Sequence, residues 1–159
     1  MRKVVANTTP IIALSGIGKL DLLKKLYGEI YIPRAVFEEV KGEPECSMLR
    51  ENLEWIHVSD IRDDSQKIMY RAKLHAGEVE VMIMAQEEDA DLVIMDDHAA
   101  RKTAKYLGLT VTGTVGIIVR AKKNHLVASA SEIITELIDN GLYVSEEVKK
   151  IALREAGEA

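Results

Sequence analysis

One cysteine, Cys46, stands alone in the 159 residues, so no internal disulfide can staple this chain. No apolar run reaches the roughly 18 residues that a membrane-crossing helix needs. The first residues, MRKVVANTTP, enter a strand-like segment at once, without the basic-then-apolar pattern of a signal peptide. Together these absences give the expectation of a cytoplasmic protein with no membrane partner. Aromatic residues are sparse at 4 %, so stacking of bases on aromatic platforms is excluded as the main mode of any nucleic-acid binding. A net charge of −5 argues against a simple nucleic-acid coat protein.

Several motifs are missing as well. The only G-x-G, Gly16-Ile17-Gly18, sits in an expected helix–helix turn, so there is no Gly-rich phosphate loop. No paired cysteines mark a zinc site, and His57, His75, His98 and His125 lack ligand spacing. A nucleophile elbow, G-x-S-x-G, is absent.

What is present is enough apolar residue, 47 %, to build one domain with a substantial core. The chain is organised around residues 76–109, AGEVEVMIMAQEEDADLVIMDDHAARKTAKYLGL. A helix apolar almost all round is expected from Glu78 to about Gln86. The unbroken run LVIM at 92–95 reads as a strand buried on both faces, with Asp96 and Asp97 at its end. A helix rich in alanine and basic residues follows to Leu107 and is stopped by Gly108. Helix, buried strand, helix is the pattern of a parallel α/β sheet, in which reactive groups gather beyond the carboxyl ends of the strands.

Strand and helix alternate elsewhere too. Strands are expected at 3–6, 29–32, 55–58 and 109–112, with a short sixth at 142–144. Asn7-Thr8-Thr9-Pro10 reads as a turn into a helix, with threonine as a cap and one apolar turn at 11–14. Helices are expected at 19–27, from Pro33 through RAVFEEV to near Gly42, and at 47–53, 65–74, 114–124 and 129–140. A last one, capped by Ser145, runs to about Ala156. The break at 42–45 is too short for a linker, so residues 1–159 read as one doubly wound α/β domain.

Charge is unevenly spread. Segments 60–64 and 87–97 are acidic, whereas 98–125 holds no acid but carries Arg101, Lys102, Lys105, Arg120, Lys122 and Lys123. Acids beside a basic stretch suit a metal-dependent enzyme on a phosphate polymer. Lysines near helix ends also simply complement the helix dipole.

The acids at suggestive places are Glu38 and Glu39, Glu78 and Glu80, and Asp96 and Asp97. Each has a plainer reading: a solvated helix face for the first pair, a dipole-favoured helix start for Glu78, an N-cap for Asp96 or Asp97. Glu78, however, begins a helix too apolar to lie on the surface. Carboxylates gathered without a basic partner repel one another unless a cation sits between them, and oxygen-only ligation suits Mg²⁺ or Mn²⁺. An acidic strand end also fits a phosphotransfer receiver or a phosphatase-like hydrolase, but Asn7-Thr8 supplies neither the acidic pair nor the D-x-D that those need after the first strand.

The segments VVANTTPIIAL, YIPRAVFEEV, HAGEVEVMIMA, ADLVIMDDHAARKTA and LTVTGTVGIIVRAKK, in that order, resemble PIN-domain proteins of the DUF3368 type over nearly the whole chain. The resemblance implies a three-layer α/β/α fold with a central parallel sheet of order 3-2-1-4-5. It implies divalent-metal-dependent ribonuclease chemistry with Mg²⁺ or Mn²⁺, often as a toxin paired with a small antitoxin in archaea and bacteria, and commonly a homodimer. Carried over by position, the family's four acids fall on Asn7, on the Glu38-Glu39 pair with Glu39 favoured, on Glu78, and on Asp96 with Asp97 as rival. Thr8 and Thr9 match the hydroxyl residues after the first acid.

The resemblance thus implies a metal held by Asn7, Glu39, Glu78, Asp96 and Asp97, with Glu39, Glu78 and Asp96 catalytic. RNA would be held by Thr8, Arg101, Lys102 and Lys105. The departure is Asn7, where the family has aspartate: a carbonyl oxygen remains, but the charge is gone. The competing expectation is a catalytically impaired module that binds RNA or a protein.

Overall fold

The fold is described from a computed structural model, over residues 3–46, 49–62 and 76–159. Five strands form one sheet: β1 (Val4–Ala6), β2 (Ile30–Pro33), β3 (Ile56–Ser59), β4 (Leu92–Ile94) and β5 (Val111–Thr112). All pairings are parallel, and the order is β3-β2-β1-β4-β5. Order and direction are those expected. The helices are α1 (Thr8–Gly16), α2 (Asp21–Tyr27), α3 (Arg34–Val40), α4 (Ala76–Glu87), α5 (His98–Tyr106), α6 (Thr114–Lys123), α7 (Ala130–Asp139) and α8 (Glu146–Glu155). No helix among the described residues is long and apolar enough to cross a membrane.

The centre of the sheet is β1 beside β4, in the register Val4↔Leu92, Val5↔Val93, Ala6↔Ile94. Every residue of both strands is buried. Side chains alternate faces along a strand, so burial of consecutive residues means that helices cover both faces. The α/β/α layering follows from that. Helix α4 is buried along 79–85 on nearly every side, which is why its sequence shows no polar stripe. The sheet order reverses between β1 and β4, and the carboxyl ends of that pair flank the crevice where parallel sheets bind their ligands.

Several boundaries differ from expectation, for local reasons. Helix α1 begins at Thr8, earlier than the apolar turn at 11–14, and Asn7 rather than threonine takes the cap position, without a side-chain capping bond. Strand β5 starts at Val111 because the Leu109 N–H closes the end of α5 on the Ala104 carbonyl at 3.0 Å. No strand forms at 142–144. The Leu142 N–H instead closes α7 on the Leu137 carbonyl at 3.0 Å, after Gly141 turns the chain at φ +106°. Within the expected helix at 47–53 the described residues form one short 3₁₀ turn, Leu49–Asn52, and a second, Pro44–Cys46, lies before it. The expected helix at 65–74 lies outside the described residues.

Candidate active site

Asn7 is the first residue past β1. Its N–H donates to the Ile94 carbonyl at 2.8 Å, so the sheet ladder continues to the last turn before α1. The residue is 4 % exposed. Asp96 lies two residues past the end of β4, so both residues stand at the carboxyl ends of the central strand pair.

Glu78, the third residue of α4, is 3 % exposed. It lines a cleft of about 630 Å³ together with Thr9, Asp96, Asp97 and His98. A buried glutamate facing the same cleft as two aspartates is the arrangement that sequence spacing alone left open. The glutamate belongs to the helix after β3 and the aspartates to the loop after β4, so only the packing of α4 on the sheet unites them.

Glu39 reaches this end of α4 as well. A Cβ placed on Gly77 would lie 2.5 Å from Glu39 Oε1 and 3.4 Å from Thr8 Oγ1. The glycine before Glu78 is thus the gap into which the Glu39 carboxylate fits. Glu38 turns aside to pair with Lys41 at 2.5 Å, so of the two neighbours Glu39 is the one at the site. The Thr8 hydroxyl is buried without a hydrogen-bond partner among the described residues, although a buried hydroxyl ordinarily has one.

Glu80 does structural work: its Oε1 accepts from the Ala35 N–H at 3.0 Å and so caps α3 from a neighbouring helix. Asp97 is the N-cap of α5, accepting from the Ala100 N–H at 2.9 Å, while it also lines the cleft. Asp96 is tied to the start of α6, where Thr114 donates its N–H at 2.8 Å and its hydroxyl at 2.6 Å to the two carboxylate oxygens. A Cβ on Gly113 would fall 2.8 Å from Asp96 Oδ1 and 3.2 Å from an Arg101 guanidinium nitrogen. Gly77, Gly113 and Thr114 were not singled out from the sequence. Their signal was a glycine directly before a key residue, in HAGE and TVTGT.

Arg101, Lys102 and Lys105 of α5 line a second cleft of about 900 Å³, which shares Asp96, His98, Leu142 and Tyr143 with the first. The basic residues therefore border the acids.

No group of three or more acids, histidines or cysteines among the described residues is close enough to cage a metal ion. Mg²⁺ seldom needs such a cage: it keeps most of its water and is held through one or two carboxylates and the phosphates of a substrate. The donors here are all oxygen, two of them buried, beside an unpartnered hydroxyl. That set fits a water-rich hard cation and does not fit zinc.

The parallel sheet of order 3-2-1-4-5 places the acids in the crevice at its switch point, between β1 and β4. The chain matches the family model of DUF3368, PIN domain, over residues 3–158. The chain belongs to that family, and the PIN domain is a nuclease-type fold. No curated protein matches the chain.

Proposed function

We propose that this chain is a divalent-metal-dependent endoribonuclease built as one PIN domain over residues 1–159. The observation that carries the reading is the buried Glu78 facing the same cleft as Asp96 and Asp97. Glu78 is 3 % exposed and lines one cleft with two aspartates, an oxygen-only set of the kind that hard divalent cations take. Of Glu39, Glu78, Asp96 and Asp97 with the Asn7 carbonyl oxygen, one or two carboxylates at a time would hold Mg²⁺ or Mn²⁺, the rest acting through its water shell. Such an ion, when bound, polarises a phosphate and lowers the pKa of water. Thr114 fixes the direction of the Asp96 carboxylate. The packing of α4 keeps Glu78 out of bulk water. Thr8, Arg101, Lys102 and Lys105 bind and orient the RNA backbone.

The test is a Mg²⁺ and Mn²⁺ titration of RNA cleavage by the wild type, Asp96→Asn and Asn7→Asp. Metal-dependent cleavage that Asp96→Asn abolishes supports the enzyme. Silence of all three with RNA sinks it.

A second reading has its own support. Asn7 lacks the charge of the family's first acid, and both oxygens of Asp96 are already engaged. These favour a PIN fold that binds RNA or protein without cleaving. Cleavage by Asn7→Asp alone would select this reading. We also propose a homodimer and a toxin role with a small antitoxin partner, which the resemblance to PIN domains implies, and a cytoplasmic setting, for which the lone Cys46 is the argument. Sedimentation of the pure chain, and co-purification with the product of a neighbouring short gene, test these.

A further inference from the structure

Resting on the ribonuclease reading, we propose that the groove between α5 and α8 seats the nucleotides flanking the cleavage point, phosphates on its basic residues and bases on its apolar ones. The occupant is a single strand of RNA. Its lining includes Arg101, Lys102 and Lys105, and the ion pairs found among the described residues include none of the three. Tyr143, Val148 and Ile151 also line the groove, with the acid Glu155 farther along α8. The three apolar residues are 88 %, 47 % and 45 % exposed and line one groove, and it is such grouping of exposed apolar side chains that marks an interaction surface. Ser145 caps α8 through the Val148 N–H at 3.2 Å, which fixes the start of that helix. Val148 and Ile151, three residues apart, then share one face. Helix α6 contributes Val115, Gly116 and Val119 to the lining.

A groove lined by both cationic and apolar side chains matches the two sides of a nucleic-acid strand. Phosphates supply affinity through counterion release, and unpaired bases offer flat apolar faces. A duplex keeps those faces stacked inside itself, so the apolar side chains select for single strands. Continuity places the groove in the path of the substrate: Asp96, His98, Leu142 and Tyr143 line both this groove and the acid cleft. Tyr143 therefore stands where the strand passes from one to the other. A scarcity of aromatics in the whole chain is compatible with this, because one platform beside the scissile phosphate sets position while the cations set affinity.

The experiment measures fluorescence anisotropy of a short labelled oligouridylate, and of a blunt RNA duplex, with the full chain in EDTA, so that binding is read without cleavage. Tyr143→Ala and Ile151→Ser should each weaken single-strand binding, roughly tenfold for the tyrosine, with Tyr143→Phe close to wild type. Lys102→Ala and Lys105→Ala should each lower the slope of log affinity against log salt by about one. The duplex should bind more weakly and ignore Tyr143. Single-strand binding that is unchanged by Tyr143→Ala and Ile151→Ser overturns the groove assignment while leaving the ribonuclease reading standing, and frees the apolar side chains for a protein partner. No binding of either RNA by the wild type at low salt also overturns the groove assignment, while the ribonuclease reading stands or falls on the cleavage titration with metal.

Discussion

Thr114 grips both oxygens of Asp96, its N–H donating to Oδ1 at 2.8 Å and its hydroxyl to Oδ2 at 2.6 Å. Thr114 is fully buried at the first position of α6. The positive end of that helix and two donors therefore act on one carboxylate. The same device recurs: Glu80 caps α3, Asp97 caps α5 and Glu158 caps α7. Asp96 and Asp97 are the members of this set that also line the acid cleft, and Asp96 is the nearer to the end of β4. It serves the helix and the site at once.

Thr114→Val removes the hydroxyl and keeps the shape. A charged acceptor then loses one donor, which should cost about 1.5–3 kcal/mol of folding stability. Thr114→Ser should restore most of it. Thermal unfolding of the three proteins checks the stability. Calorimetric titration with Mn²⁺ separates positioning from mere folding, because Ser should recover metal affinity and Val should not.

Gly77→Ala and Gly113→Ala should behave differently although both introduce a Cβ against a carboxylate. At Gly77 the obstacle is the end of the Glu39 side chain, 2.5 Å away, which can swing aside. The fold should survive with little loss, and binding of Mn²⁺ should weaken. At Gly113 the obstacle, 2.8 Å away, is an Asp96 oxygen held by Thr114. It cannot yield without breaking that grip, so a loss of about 1–3 kcal/mol is expected. Urea unfolding ranks the two, and the reverse order would refute the geometry.

Asn7→Asp should cost stability without metal and gain affinity with it. The position is 4 % exposed, at the carboxyl end of the strand paired with the one that leads to Asp96, so a further negative charge there is desolvated and lies toward another acid. With an ion bound, a unit charge at 8 Å and an effective dielectric of about 20 contributes about 2 kcal/mol per charge on the ion. The variant should melt below wild type in EDTA and rise further than wild type on adding Mn²⁺. Equal shifts in both proteins would mean that residue 7 does not approach the ion.

Glu158 gives the chain an acid-sensitive clasp. The Ala130 N–H at 2.7 Å, with that of Ser131 at 3.1 Å and Lys122 nearby, holds its carboxyl below the usual carboxylate range. A folded-state pKa below the unfolded one adds stability above the ordinary value of about 4.3, and that stability is lost as the pH falls through the depressed value. Wild type should therefore melt above Glu158→Gln at neutral pH, and the gap should close in acid. A gap that does not change between neutral and acidic pH would show that the charge of Glu158 is not what binds α7 to the C-terminus.

The alternation of apolar strands with helices, the all-apolar α4 and the acids after β4 are local patterns, and local patterns were enough to write the sheet as parallel and doubly wound. The five segments in order carried the strand order. Residues 142–144 misled because a short apolar triplet has no period long enough to distinguish a strand from a helix terminus that uses the same backbone donors. What Glu39 and Glu38 do could not be read from their adjacency, because on a helix neighbours point about a quarter-turn apart and only packing says which one meets Gly77. The same holds for Glu78 beside Glu80: both are buried, yet one faces the cleft and the other caps α3. Thr114 was invisible for a related reason, since a hydrogen bond between residues 18 apart exists only once β4 and β5 lie side by side. Sequence thus determined which elements form and in what order they stack, because burial and period are properties of contiguous residues. Tertiary structure decided which acid caps, which pairs and which turns toward the cleft, because those choices depend on atoms brought together from distant parts of the chain.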